Sequence, residues 1–151
     1  MLKKLLKKSA AYSVVIPGIV LFASLGAGSV SASTDGVTGC WKTISDKTGK
    51  VTSRVCLWEN NGRLYGKIDK LYDSKDPNPI CEKCRGSRKN KPIIGMTIIT
   101  GLRKGSSEWK NGKILDPENG KWYTCKIWRE GSKLKVRGYI AFFYRTQTWV
   151  K

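Results

Sequence analysis

Apolar residues recur at every second position in several short stretches of this chain. Over 133–140, Leu134, Val136, Gly138 and Ile140 share one face, and Lys133, Lys135, Arg137 and Tyr139 share the other. Over 121–128, Tyr123, Cys125 and Ile127 alternate with Trp122, Thr124, Lys126 and Trp128. Over 51–57, Val51, Val55 and Leu57 fall together with Ser53 as the polar member, opposite Thr52, Arg54 and Cys56. A period of two with one apolar face is the pattern of a half-buried strand. Between such runs stand Thr48-Gly49, Asn60-Asn61-Gly62, Gly105, Asn111-Gly112, Asn119-Gly120 and Gly131. These residues tolerate the positive φ that tight hairpins require. No segment of the mature chain carries a convincing helical pattern. Short strands at regular spacing predict an all-β sandwich or a closed antiparallel barrel. The long irregular exception runs from Tyr72 to Pro92, with Pro77, Pro79 and Pro92, the pair Cys81/Cys84, and the basic group Arg85, Arg88, Lys89 and Lys91. A basic loop of this kind reads either as a solvated face or as a binding segment.

Residues 1–32 carry a different signal. Lys3, Lys4, Lys7 and Lys8 precede an apolar run from Ala10 to Ala27, which ends at Val30-Ser31-Ala32. A basic n-region, an apolar h-region and small residues at the cut predict a secretory signal peptide cleaved near Ala32. The competing reading is a membrane anchor, because the run approaches spanning length. Pro17, Gly18, Gly26 and Gly28 interrupt it. Cleavage would leave residues 33–151 as one exported domain, periplasmic or secreted, with a single core.

Charge narrows the partners. The chain has 29 Lys and Arg against 11 Asp and Glu; four of the lysines lie in the leader, so the net charge falls from +18 to +14 without it. Such a surface is drawn to polyanions, among them anionic membranes and envelope polymers. No nucleic-acid motif accompanies the charge, and export argues against a specific nucleic-acid partner. The sequence contains no histidine. That removes the Ser-His-Asp triad, the Cys-His pair and the histidine-bearing zinc sites, so no catalytic residue, metal or cofactor is expected.

All five cysteines follow the leader, where disulfides are the default. Cys40 and Cys56 are equidistant from Thr48, so a hairpin centred there sets them directly opposite, with Trp41 opposite Val55. That register places both cysteines on the outer face and predicts a cross-strand bridge. Cys81 and Cys84 form a C-x-x-C, which admits a redox pair, a zinc half-site or a structural bridge. The βαβ context of the first is missing, and the second lacks ligands. A structural bridge is expected, either between the two or from one of them to Cys125.

Several motifs in order resemble the bacterial domain-of-unknown-function family 2147. They are Gly39-x-Trp41-x-Thr43, Thr48-Gly49-Lys50, Gly62-x-Leu64-Tyr65-Gly66-Lys67-Ile68, the C-x-x-C-x-G of Cys81, Cys84 and Gly86, and Pro92-Ile93-x-Gly95-Met96. Ile114-Leu115-Asp116-Pro117-x-x-Gly120-Lys121-x-Tyr123, Val136-Arg137-Gly138-Tyr139-Ile140 and Arg145-Thr146-Gln147-x-Trp149 complete the set. Asn111, Ala141 and Tyr144 stand where the family pattern has glycine, and Cys40 and Cys56 look like additions. The resemblance implies an exported, small, up-and-down antiparallel barrel of the lipocalin or calycin kind. It also implies a barrel-closing pair, with Arg145 packed across the ring of Trp41.

Two functions compete. In the first, the barrel takes an apolar or amphipathic small molecule such as a fatty acid or envelope lipid, lined by Trp41, Val55, Leu57, Tyr123, Ile127, Leu134, Val136 and Ile140. The same residues can equally close a solid core. In the second, Trp58, Trp122 and Trp128, interleaved with Arg54 and Lys126, make the exterior a basic surface module for anionic polymers, membranes or host surfaces. A carboxylate hydrolase built on Glu108, Asp116 and Glu118 is the weakest reading, because Asp116-Pro117 and Asn119-Gly120 read as a turn.

Overall fold

The computed structural model describes residues 32–151, so all of the expected leader except Ala32 lies outside the described residues. After a short strand β1 (Ala32–Ser33) come β2 (Gly39–Ile44), β3 (Val51–Asn60), β4 (Arg63–Leu71), β5 (Thr97–Lys104), β6 (Trp109–Asp116), β7 (Lys121–Glu130), β8 (Lys133–Ile140) and β9 (Phe143–Trp149). From β2 to β9 each strand pairs antiparallel with the next. The ends of this path meet at one bridge, where Lys42 and Val150 exchange N–H···O bonds of 2.6 and 3.0 Å. The result is a nearly closed eight-stranded up-and-down barrel. Closure removes the open edges that would template aggregation.

Strict up-and-down order gives the barrel two distinct ends. Turns 61–62, 105–108 and 131–132 lie at the base, together with the segment that leads from β1 into β2. Turns 45–50, 117–120 and 141–142 lie at the mouth, together with loop 72–96. β1 pairs with Arg129 and Glu130 of β7 beneath the point where β6 begins.

Period two holds where the sequence shows it. Val55, Leu57, Cys125, Ile127, Leu134 and Val136 are all buried. Two strands depart from it. β5 buries the neighbours Ile98 and Ile99 and contains Gly101 at φ +70°, and β6 is out of step between Trp109 and Gly112, with Asn111 at φ +60°. An extra residue turns the strand and reverses which face follows.

Loop 72–96 is tied down rather than free. Cys81 is bridged to Cys84, Gly86–Arg88 form a single 3₁₀ turn, and Cys81 and Lys91 close a small ring through a 2.9 Å N–H···O bond. The Lys83 and Cys84 backbone lies so close to Gly120 that a Cβ there would overlap it, and Arg88 stacks 5.0 Å from the Trp122 ring centre. The loop therefore packs on the outside of the β6–β7 hairpin. Leu115, adjacent to inward Ile114 and so pointing outward, is buried on that side.

Candidate ligand site at the barrel mouth

Three indoles fill the base. Trp41, Trp109 and Trp149 are no more than 2% exposed and stand opposite Val55, Ile127 and Leu134, all core residues. A buried indole N–H needs an acceptor. Trp41 Nε1 donates to the Val37 carbonyl at 2.8 Å, Trp109 Nε1 to the Thr34 carbonyl at 3.1 Å, and Trp149 Nε1 to Gln147 Oε1 at 3.2 Å. The segment leading into β2 thus plugs the barrel from below by supplying two of the three acceptors.

The middle layer is equally solid. A Cβ at Gly66 would run into Leu57 and Ile99, and one at Gly112 into the Thr100 carbonyl and Leu102. Cys125 lies between Gly112 and Gly138 in the registers of its two neighbours and is fully buried. Burial pushes its thiol well above the usual cysteine range, because a thiolate there would lose its hydration.

Packing relaxes above this layer. Ile114, Tyr123 and Gly138 have inward register but are only half-buried. At Gly138 a Cβ would stand 3.5 Å from Tyr123 Cβ and 3.8 Å from Ile114 Cγ2, ordinary van der Waals contact. The Tyr123 hydroxyl accepts a bond from Asn119 Nδ2 at 2.9 Å, which fixes the ring. Elsewhere in the wall the Thr43 hydroxyl is linked to those of Thr52 at 2.8 Å and Ser53 at 2.6 Å. The candidate site is this cup of half-buried inward residues near the mouth, Ile114, Tyr123 and Gly138.

Arg145 stands at the rim of this cup. It is paired with Gly138, so it leaves the sheet from the inner face. Its guanidinium reaches Asp46 in the β2–β3 turn, with Nε and Nη2 at 2.7 and 2.6 Å from Oδ2. The ion pair holds the β2–β9 seam at the mouth, while the Lys42–Val150 bridge holds it lower down.

The residues expected to line a cavity therefore divide. Trp41, Val55, Leu57, Ile127, Leu134 and Val136 belong to the packed interior, and Tyr123 belongs to the cup. Ile140 does not line the barrel. It has inward parity but sits above the rim, 51% exposed. The expected Trp41–Arg145 pair does not form either: Trp41 is near the base and Arg145 at the mouth. The cation over the indole is Lys151, its Nζ 4.1 Å from the ring centre.

The expected Cys40–Cys56 bridge is present, and of the two alternatives for the C-x-x-C pair Cys81–Cys84 forms, leaving Cys125 free. Trp58 stacks on Tyr65 with ring centres 5.9 Å apart. Of the carboxylates Glu108, Asp116 and Glu118, the first two are engaged locally. Asp116 accepts from the Glu118 amide at 2.9 Å and from Asn119 Nδ2 at 2.8 Å. Glu108 lies 3.0 Å from Lys126 and holds that lysine above its ordinary range, chiefly through the hydrogen bond and against partial desolvation.

Trp109, Trp149, Leu64, Ile99, Leu102 and Ile114 were not foreseen as interior residues. The bulges in β5 and β6 hide four of them from any count by twos.

The fold has a solved counterpart. A Helicobacter pylori protein, HP1028, described as belonging to the lipocalin family, superposes with a TM-score of 0.66 at 21% identity, over 76% of this chain and 81% of that one. No curated protein matches the sequence. The family described as "Uncharacterized protein conserved in bacteria (DUF2147)" matches residues 39–151, the whole barrel from β2 onward, and the chain belongs to that family.

Proposed function

We propose that this chain is an exported, non-enzymatic binding protein whose open end takes an apolar or amphipathic small molecule of the fatty-acid or envelope-lipid class. The observation that carries this reading is the contrast along the barrel axis. The base is filled by three tryptophans, whereas Ile114, Tyr123 and Gly138 near the mouth keep a half-exposed apolar surface. Arg145 at the rim supplies a cation for a carboxylate or phosphate end, in exchange with Asp46. A lipocalin-like fold is compatible with small-molecule binding in general. Two disulfides suit an oxidising compartment, and the predicted leader suits export.

A cup above a filled base has a consequence for chain length. Affinity rises over the first few methylenes, by about 0.8 kcal/mol for each one buried, and then levels off. Native mass spectrometry of the protein gently isolated from the bacterium tests the reading. A co-purifying lipid-class mass, displaced by added fatty acid, supports it; bare protein that also fails to take up added fatty acid opposes it.

A further inference from the structure

The β8–β9 hairpin ends in an uncovered apolar tip at the mouth. Phe142 is 99% exposed, Phe143 76%, Tyr144 62% and Ile140 51%. Isolated exposed apolar residues need no explanation, but four within five consecutive positions at the end of a hairpin do. Behind the tip, the outer wall of β7, β8 and β9 alternates rings with cations. Arg137 lies 4.5 Å from the Tyr144 ring centre and 4.9 Å from that of Trp128, and Lys126 lies 5.8 Å from that of Tyr139. Tyr139 and Tyr144 contact each other with centres 5.9 Å apart. On the other side of the tip, the Arg145–Asp46 pair tethers a turn bearing exposed Lys47 and Lys50.

We infer that this hairpin docks the protein on an anionic lipid bilayer. Phe142 and Phe143 enter the acyl boundary, Tyr139 and Tyr144 lie at headgroup depth, and Arg137, Lys47 and Lys50 meet lipid phosphates. The order of residues from tip to wall matches the order of layers a membrane presents: apolar, then aromatic-amphipathic, then charged. Charge selects the occupant. A net charge of +18, or +14 without the expected leader, makes a second copy of the chain a repulsive partner and an anionic bilayer an attractive one. Docking by this tip turns the mouth toward the membrane. The inference stands apart from the small-molecule reading, since a barrel with no ligand could still dock.

The test uses the protein in the form the bacterium makes, with vesicles of phosphatidylcholine alone or mixed with phosphatidylglycerol. Wild type is expected to sediment with the anionic vesicles and to be released by salt. Phe142→Ser with Phe143→Ser is expected to weaken partitioning by roughly a hundredfold without changing the melting temperature. Phe142→Trp is expected to show blue-shifted emission and quenching by brominated acyl chains on the same vesicles. Undiminished binding by the double serine variant would reduce the interaction to surface adhesion and overturn the inference. An unquenched Phe142→Trp, or tip-dependent self-association without vesicle binding, would overturn it as well. Fatty-acid uptake by the double serine variant separates the two proposals, because losing the tip leaves the cup intact.

Discussion

The ammonium of Lys151 stands 4.1 Å from the centre of the Trp41 ring near the base of the barrel. Lys42 adds a second tie, donating from Nζ to the Lys151 carbonyl at 3.2 Å. Lys151 therefore covers an indole that also donates to Val37, beside the β2–β9 seam. Lys151→Ala is expected to lower stability by about 0.5–1 kcal/mol, the range for an exposed cation over an aromatic face. Arg145→Ala, which breaks an exposed ion pair with Asp46, is expected to cost about 0–1 kcal/mol. Urea unfolding of the two variants ranks them, and a larger loss for Arg145→Ala would reverse the assignment.

Cys125 is expected to be silent in the folded protein. A thiol-specific maleimide at pH 8 should add no mass under native conditions and one adduct after unfolding without reductant. The raised pKa also fixes the sign of an alkaline effect. Above the ordinary thiol pKa of about 8.5 the unfolded chain releases the Cys125 proton while the folded one retains it. Stability therefore falls as pH rises past that point, by about 1.4 kcal/mol per unit while the folded thiol stays protonated. Below it the group contributes no pH dependence. Cys125→Ala should flatten that alkaline slope, measured with a thiol-trapping agent present to stop exchange with the two disulfides.

Gly112 and Gly138 are expected to respond oppositely to the same substitution, although both pair with Cys125. At Gly112 a Cβ meets the Thr100 carbonyl and the Leu102 backbone, so Gly112→Ala should destabilise by about 1–3 kcal/mol. At Gly138 the nearest atom is 3.5 Å away and φ lies outside the left-handed region, so Gly138→Ala should be neutral or slightly stabilising. Melting temperatures of the two variants measure where the solid interior stops and the cup begins.

What the sequence revealed was facing; what it withheld was height. Period two assigns each residue to one face of the sheet, and that assignment holds for Ile140 and Arg145, both of inward parity. It does not say where the rim falls. Ile140 and Arg145 project beyond the packed layers, which is why one is exposed and the other is far from Trp41. The Cys40–Cys56 bridge was legible because a turn centred on Thr48 sets the register by counting. The interior faces of β5 and β6 were not, because left-handed Gly101 and Asn111 shift the count within each strand. The apolar tip was overlooked for a related reason. The turn at 141–142 falls inside the apolar run Ile140-Ala141-Phe142-Phe143-Tyr144 with no Gly or Asn to mark it, so alternation does not show which of these residues lies past the rim.

The central claim is that the barrel is solid below and receptive above, and one titration tests it most directly. A fluorescent fatty acid is added to delipidated wild type and to Gly138→Leu, with folding of both verified by circular dichroism. A side chain at Gly138 starts beside Tyr123 and Ile114, so leucine there crowds the candidate site. The account predicts saturable one-to-one binding by the wild type and its loss in the variant. Absence of saturable binding by the wild type across chain lengths, or equal binding by a folded Gly138→Leu, would contradict it.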